Sequence, residues 1–152
     1  MAIREIVKVG DDCLRKTCKP IDKITTRTKI LVEDMLDTMY EANGCGLAGP
    51  QVGVLRRLCV IDVGEGPIVM INPVIVKSEG EQEGAEGCLS VPGKSGNGTR
   101  PATVTATALE ITGEVQVYEA EGLFARCICH ELDHLDGVLY IDKVTDGLTT
   151  GE

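Results

Sequence analysis

Residues 130–134 read His130-Glu131-Leu132-Asp133-His134 and contain both histidines of the chain. Around them Leu123, Phe124, Cys127, Ile128 and Leu135 recur at three- and four-residue steps, and Gly137 stands where a helix C-terminus favours glycine. The pattern predicts a helix over about 122–135. On such a helix residues four apart lie one turn above each other, so both imidazoles leave the same face. Two neutral imidazoles at that spacing can hold one divalent cation. Glu131 projects beside them, within reach of a water that such a cation would activate. The plain alternative is an amphipathic helix that carries two histidines by chance.

A catalytic centre of this kind needs three protein ligands and one open position. Downstream of His134 there is no further histidine, and the only glutamate is Glu152. Asp136 follows too closely on the same helix, and Asp142 sits in a charged stretch. The third ligand is therefore expected upstream, where a cysteine or a carboxylate must serve.

The elements that would position these groups are legible in part. Leu31, Met35 and Met39 form one row at four-residue spacing, and Val32, Leu36 and Tyr40 form the adjoining one. They predict a core helix from about Thr28 to Ala42, ended by Asn43-Gly44. Gly44 to Gly53 follows, half of it Gly or Pro, which suits a loop whose backbone comes close to something else. It lacks a Gly-Lys-Ser/Thr ending, so a phosphate loop is a weak reading. Arg56 to Val63 and Pro67 to Ile71 read as strands, with Val74 to Lys77 continuing the sheet. Ser78 to Ala85 reads as a solvated loop or edge, and Gly93 to Pro101 as turn-rich. Ala102 to Glu110 and Glu114 to Tyr118 read as a hairpin around Thr112-Gly113. Ile3 to Val9 is a short strand or an ordered arm, Asp11 to Arg15 one helical turn. A segment over 138–141 is expected behind the metal-bearing helix. The expected fold is α+β: small antiparallel or mixed sheets around a central metal-bearing helix, with one further long helix. Residues 1–152 make a single domain whose tail frays from about Asp146.

Composition narrows the function classes. A net charge of −9 with no Lys/Arg cluster argues against binding a phosphate backbone. No segment approaches the length of a membrane span, and Met1 to Lys16 lacks a signal-like apolar run. Seven cysteines, an odd number, show no disulfide framework, so a reducing cytoplasm is the natural compartment.

Three stretches together resemble the peptide deformylase family: Gly44-Cys45-Gly46-Leu47-Ala48-Gly49-Pro50-Gln51, then Glu86-Gly87-Cys88-Leu89-Ser90, then the histidine motif. They stand in the family's order, and the resemblance runs from the N-terminal arm to about Val144. It implies a metal-dependent hydrolase that removes the formyl cap from the N-terminal methionine of new polypeptides and releases formate. It implies Cys88, His130 and His134 as metal ligands and Glu131 as general acid/base. Gln51 and the Leu89 N–H would bind the carbonyl oxygen, and Gly46 would meet the substrate backbone. Arg100 would pair with Glu86 to hold the second motif in place. Cys45, Leu123 and Cys127 are candidates for an apolar pocket that takes the methionine side chain. The metal implied is ferrous iron in the cell, with zinc, nickel or cobalt possible after purification. Formylmethionyl peptides are the implied partners, and the ribosome near the nascent-chain exit is another. Two positions depart from the family pattern: Gly49 replaces an alanine, and Gly98 takes a valine position. Other functions remain open at this point, namely a zincin-like peptidase or a catalytically silent peptide-binding or structural metal domain. A missing downstream ligand weighs against the first, and intact Glu131 and Gln51 against the second.

Overall fold

The computed structural model describes residues 2–150, with residues 144–150 as backbone only. Two helices, α1 (Thr26–Glu41) and α2 (Gly122–Leu135), accompany eight strands. These are β1 (Gly46–Ala48), β2 (Leu58–Ile61), β3 (Ile68–Glu79), β4 (Gln82–Cys88), β5 (Val91–Arg100), β6 (Thr103–Leu109), β7 (Val115–Glu121) and β8 (Val144–Thr150). They form a five-stranded sheet in the order β1-β2-β3-β6-β7 and a three-stranded sheet in the order β4-β5-β8. Every named strand pair is antiparallel. The class is α+β, as expected.

The five-stranded sheet is filled from both faces, and the two-residue period of its strands sorts the side chains. Leu47, Leu58, Val60 and Ile71 pack with Leu31, Met35 and Met39 of α1. Their neighbours Ala48, Cys59, Ile61 and Met70 point the other way and pack with Ala125, Ile128, Leu132 and Leu135 of α2. A fully buried side chain such as Ile128 contributes about 1.5–3 kcal/mol by leaving water. This burial anchors α2 along one stripe and leaves its histidine face turned elsewhere.

Helix α1 begins two residues before its expected start. The Thr25 hydroxyl accepts from the Thr28 N–H, and the Thr28 hydroxyl accepts from the Thr25 N–H, a reciprocal cap. Its end matches expectation: Asn43 has φ +58°, and the Gly44 N–H reaches back to the Met39 carbonyl at 2.9 Å. Helix α2 ends in the same way, with Val138 N–H on the Asp133 carbonyl at 2.9 Å. There Gly137 has φ +78°, and a Cβ would stand 2.5 Å from the Arg15 carbonyl oxygen. The segment behind α2 is a short 3-10 turn, Tyr140–Asp142.

The acidic stretch 78–85, expected as a loop or an edge, holds an edge: β3 runs through Glu79, and β4, which starts at Gln82, is an outer strand of the three-stranded sheet. Two sequence expectations are corrected. The turn-rich stretch 93–101 is strand β5 as far as Arg100, paired with β4 from Gly96 to Arg100 and, past a register shift, at Val91. The tail expected to fray from Asp146 pairs with β5, Lys94 opposite Thr150 and Gly98 opposite Val144; residues 151–152 lie outside those described. In each case pairing to a neighbouring strand overrides weak local β-propensity. Residues 3–9 form an extended arm without a strand of its own. Its Val7 N–H donates to the Gln51 carbonyl and its Val9 N–H to the Ser90 carbonyl, both at 2.7 Å. Asp12–Arg15 is the expected single helical turn.

Candidate metal centre

Each of the three motifs arrives on a different element. His130, Glu131 and His134 stand on α2, all buried. Cys88 is the last residue of β4, just before the turn Leu89-Ser90 into β5. Gln51 lies in the 3-10 turn Gly49–Val52 that follows β1. The fold brings Cys88 Sγ within 3.3 Å of His134 Nε2, and one potential ligand atom from each of Cys88, His130 and His134 lies within 4.8 Å of the others. A tetrahedral cation with bonds of about 2.0–2.3 Å holds its ligand atoms roughly 3.3–3.8 Å apart, so a small closing movement suffices. Neutral imidazole and thiolate are the donors such a cation takes. The residues present fit a divalent metal ion.

Charge at the centre is organised around Glu86. Its Oε1 stands 3.0 Å from His130 Nδ1, leaving Nε2 of that ring as the potential ligand atom. The same carboxylate accepts two bonds from Arg100, Nε to Oε2 at 2.8 Å and Nη2 to Oε1 at 2.9 Å. Burial opposes ionisation of Glu86, but the hydrogen bonds from Arg100 and His130 outweigh it and hold the carboxyl down at about 2. Arg100 spends its remaining edge on Asp133 Oδ2 at 2.6 Å, and Lys143 reaches the same oxygen at 3.1 Å. The expected Arg100–Glu86 pair is thus one link in a chain from Lys143 to His130. Desolvation pushes the His134 imidazole down to about 3, helped by the positive neighbours His130 and Arg100, which keeps it in the neutral form. His130 goes the other way: burial works against its charged form, yet the hydrogen bonds with Cys88 and Glu86 outweigh it. The thiol and the carboxylate therefore favour positive charge between them, the electrostatic condition for a cation.

Glu131 is 3% exposed, and its Oε1 has no hydrogen-bond partner among the described residues. Desolvation raises this carboxyl to about 7. Room for it comes from Gly46, where a Cβ would run into the Glu131 carboxylate. Gln51 is oriented from both ends. Its Oε1 accepts from the Ala48 N–H at 3.0 Å, while its Nε2 donates to Ser90 Oγ at 3.1 Å and faces Cys88 Sγ at 3.5 Å.

A cavity of about 500 Å³ opens onto this group. Every residue singled out from the sequence as catalytic, substrate-binding or metal-ligating lines it, except His134, which is fully buried. Cys45, Leu123 and Cys127 are among the lining residues, with Leu89 and Gly46. Sequence reasoning missed Ser90, Asp133 and Tyr140. Tyr140 stacks on the His130 ring with centroids 5.9 Å apart. Asp133 had a signal: it follows His130 by three residues on one helix, so it shares the side from which Arg100 approaches. Ser90 had none, because only the turn after β4 carries it to Gln51.

Known proteins resemble this chain in sequence and fold. The sequence pattern of the polypeptide deformylase family matches residues 3–148. A peptide deformylase of Agathobacter rectalis is 59% identical over 149 residues, covering 97% of this chain and 94% of its own. The crystal structure of the peptide deformylase from Thermotoga maritima superimposes with a TM-score of 0.93 at 40% identity, over 94% of this chain and 98% of that one. That of Synechococcus elongatus, solved in complex with actinonin, gives 0.92 at 41% identity, over 94% of this chain and 79% of that one. With the family pattern matched almost end to end and the fold shared, the chain belongs to the peptide deformylase family.

Proposed function

We propose that this chain removes the N-formyl group from the N-terminal methionine of newly made polypeptides and releases formate, with Cys88, His130 and His134 holding one divalent cation. The observation that carries the reading is the meeting of these three residues, beside Glu131, at a cavity lined by Cys88, His130 and Glu131. When bound, the cation supplies Lewis acidity toward water and the formyl carbonyl. Glu131 takes the proton from the attacking water on its carboxylate and passes it to the departing nitrogen. Gln51 keeps one N–H on Ser90 and turns the other, now facing Cys88, toward the carbonyl oxygen as negative charge builds there. The Leu89 N–H is the second donor. Gly46, in β1 at the edge of the five-stranded sheet, offers its backbone to the peptide, and Cys45, Leu123 and Cys127 receive the methionine side chain. The soft thiolate with two imidazoles suits ferrous iron in the cell, and zinc, nickel or cobalt in its place. The compartment is the cytoplasm, where the substrate emerges from the ribosome. Among the described residues no helix is long and apolar enough to cross a membrane.

The test is to incubate metal-loaded protein with a formylmethionyl peptide and with a longer unformylated peptide. Formate from the first and no cleavage within the second is the expected result. Internal cleavage would make it a zincin-like peptidase, and neither product a silent relative. Glu131→Gln should keep the metal and lower turnover by roughly two to four orders of magnitude, whereas Cys88→Ala should lose the metal itself. Full metal content in Cys88→Ala would overturn the ligand set.

A further inference from the structure

Seven cysteines are present, and the proposed metal centre uses one of them, Cys88. Cys18, Cys59 and Cys129 are buried, and Cys13 is half-buried with its thiol on the Pro50 carbonyl. Cys45 and Cys127 differ from these. Their Sγ atoms are 3.2 Å apart although the residues are 82 positions apart in the chain. Among the described residues no other two thiols are in hydrogen-bonding contact. Cys45 is exposed, Cys127 is 4% exposed, and both line the cavity above the metal centre.

We propose that Cys45 and Cys127 are a reversible redox pair in the wall of this cavity, which hydrogen peroxide closes to a disulfide. An S–S bond is about 2.05 Å long, so the sulfurs must approach by roughly 1 Å. Cys45 can supply that movement, because it sits in the short connection between the end of α1 and β1. Cys127 is fixed on α2. Either sulfur can donate in this contact, but Cys45 reaches solvent, whereas the contact with Cys45 and burial both hold the Cys127 thiol above its ordinary range. The exposed member is thereby the nucleophile, and the buried one resolves.

The steps balance. The Cys45 thiolate sulfur attacks one oxygen of the peroxide, an S–O bond forms, the O–O bond breaks, and hydroxide leaves to take up a proton as water. Cys45 is now a sulfenic acid. The Cys127 sulfur then attacks it, the S–S bond forms, the S–O bond breaks, and a second water leaves with the Cys127 proton. Two thiols are oxidised by two electrons and one peroxide is reduced to two waters. A dithiol reductant reverses the result by exchange. The disulfide ties the segment before β1 to α2 across the cavity wall. Its effect on turnover rests on the proposed use of the cavity for the methionine side chain; the cross-link itself does not.

The experiment uses the zinc-loaded protein, whose metal does no redox chemistry. It is treated with a small excess of hydrogen peroxide, blocked with N-ethylmaleimide, digested without reductant and analysed by mass spectrometry. The expected product is one linked peptide joining Cys45 to Cys127, lost on dithiothreitol treatment. In Cys127→Ser, dimedone should trap a sulfenic acid at Cys45, and in Cys45→Ser the Cys127 thiol should stay reduced. Separate oxidation of the two cysteines without a link, or equal oxidation of Cys127 in Cys45→Ser, would overturn the proposal. The oxidised protein should also show a severalfold shift in KM for a formylmethionyl peptide that dithiothreitol reverses. A link that forms with KM unchanged would uphold the redox pair and sink the assignment of this wall to substrate.

Discussion

The two sheets of this protein are held by different forces. In the five-stranded sheet, β2 is buried along its whole length and both faces are covered by the apolar stripes of α1 and α2. In the three-stranded sheet, β4 and β5 read Gln-Glu-Gly-Ala-Glu-Gly-Cys and Val-Pro-Gly-Lys-Ser-Gly-Asn-Gly-Thr-Arg, with five glycines and hardly an apolar side chain. What joins that second sheet to α2 is polar: Arg126 on Gln82 and on the Ala85 carbonyl, and a line of charges, Lys143 and Arg100 on Asp133, Arg100 on Glu86, and Glu86 on His130. The apolar sheet supplies the stability that fixes α2. The charged one delivers Cys88 to it. Two of the proposed ligands, His130 and His134, therefore rest on hydrophobic burial and the third, Cys88, on ion pairing, so the two halves of the site should fail separately.

The largest effect is expected at Arg100, which is 4% exposed. In Arg100→Met the Glu86 carboxylate keeps its burial and loses both guanidinium bonds. An uncompensated buried charge costs about 3–5 kcal/mol. Urea denaturation should show that loss, and metal analysis should show a fall in occupancy as β4 loses its tie to α2. A variant that melts like the wild type would mean that backbone pairing alone carries this sheet.

Met70 tests the other half. It is fully buried between the sheet and α2, and Met70→Ala should cost about 2–5 kcal/mol through lost transfer energy and the cavity left behind. Below its lowered melting temperature this variant should still bind metal stoichiometrically, because no ligand or charged partner has moved. Metal loss in the fully folded variant would show that the two halves are coupled after all.

What could be read beforehand follows the same division. Helix α2 was legible to its ends because a 3.6-residue apolar period and a C-terminal glycine both mark it, and the hairpin β6–β7 because it alternates around a turn. Strand β5 was not: Gly93, Gly96 and Gly98 are what a turn would use, and only pairing makes that stretch a strand, with β4 folded back through the turn Leu89-Ser90 and with β8 from far along the chain. The site splits likewise. His130, Glu131 and His134 declare themselves by spacing on one helix. Cys88 became a candidate ligand through likeness to a family, since nothing local tells a ligand thiol from a core one. Ser90 and Asp133 act through contacts that exist only after folding.

Gly49, one of the two departures from the family pattern, belongs to the apolar half. A Cβ built there would stand 2.6 Å from the Val54 carbonyl oxygen and 2.8 Å from that of Arg56. Both are backbone atoms of the segment leading into β2, so they move only with the chain. The glycine has let this segment close in, and restoring alanine should overpack it. Gly49→Ala is expected to lose about 1–3 kcal/mol, read as a lower melting midpoint. Its turnover at saturating metal tells whether the strain reaches Gln51 two residues on. An unchanged midpoint would show that the 54–56 segment gives way freely.

Gly98, the other departure, lies in the charged half, and there the sign should reverse. Its φ is not among the positive ones, so no left-handed backbone demands glycine there. It is an ordinary strand residue between Gly84 of β4 and Val144 of β8. A Cβ there would meet Glu86 Oε2 and the Lys143 carbonyl oxygen, each at 3.6 Å, which is normal contact. Alanine removes freedom from the unfolded chain without strain and should stabilise by about 0.4–1 kcal/mol. Valine, the residue the family favours, restricts the unfolded chain further and suits a strand. Its two outer methyls, however, reach toward a carboxylate oxygen already held by Arg100 at 2.8 Å and cover it from solvent without offering a bond. The expected order of melting midpoints is therefore Gly98→Ala above wild type, with Gly98→Val between them. Metal loss to a chelator should slow in the same order, because a stiffer β5 holds Arg100 and Glu86 in register. A midpoint for Gly98→Ala below wild type would mean that β5 needs the freedom glycine gives it, and that ion pairing alone sets the position of Cys88.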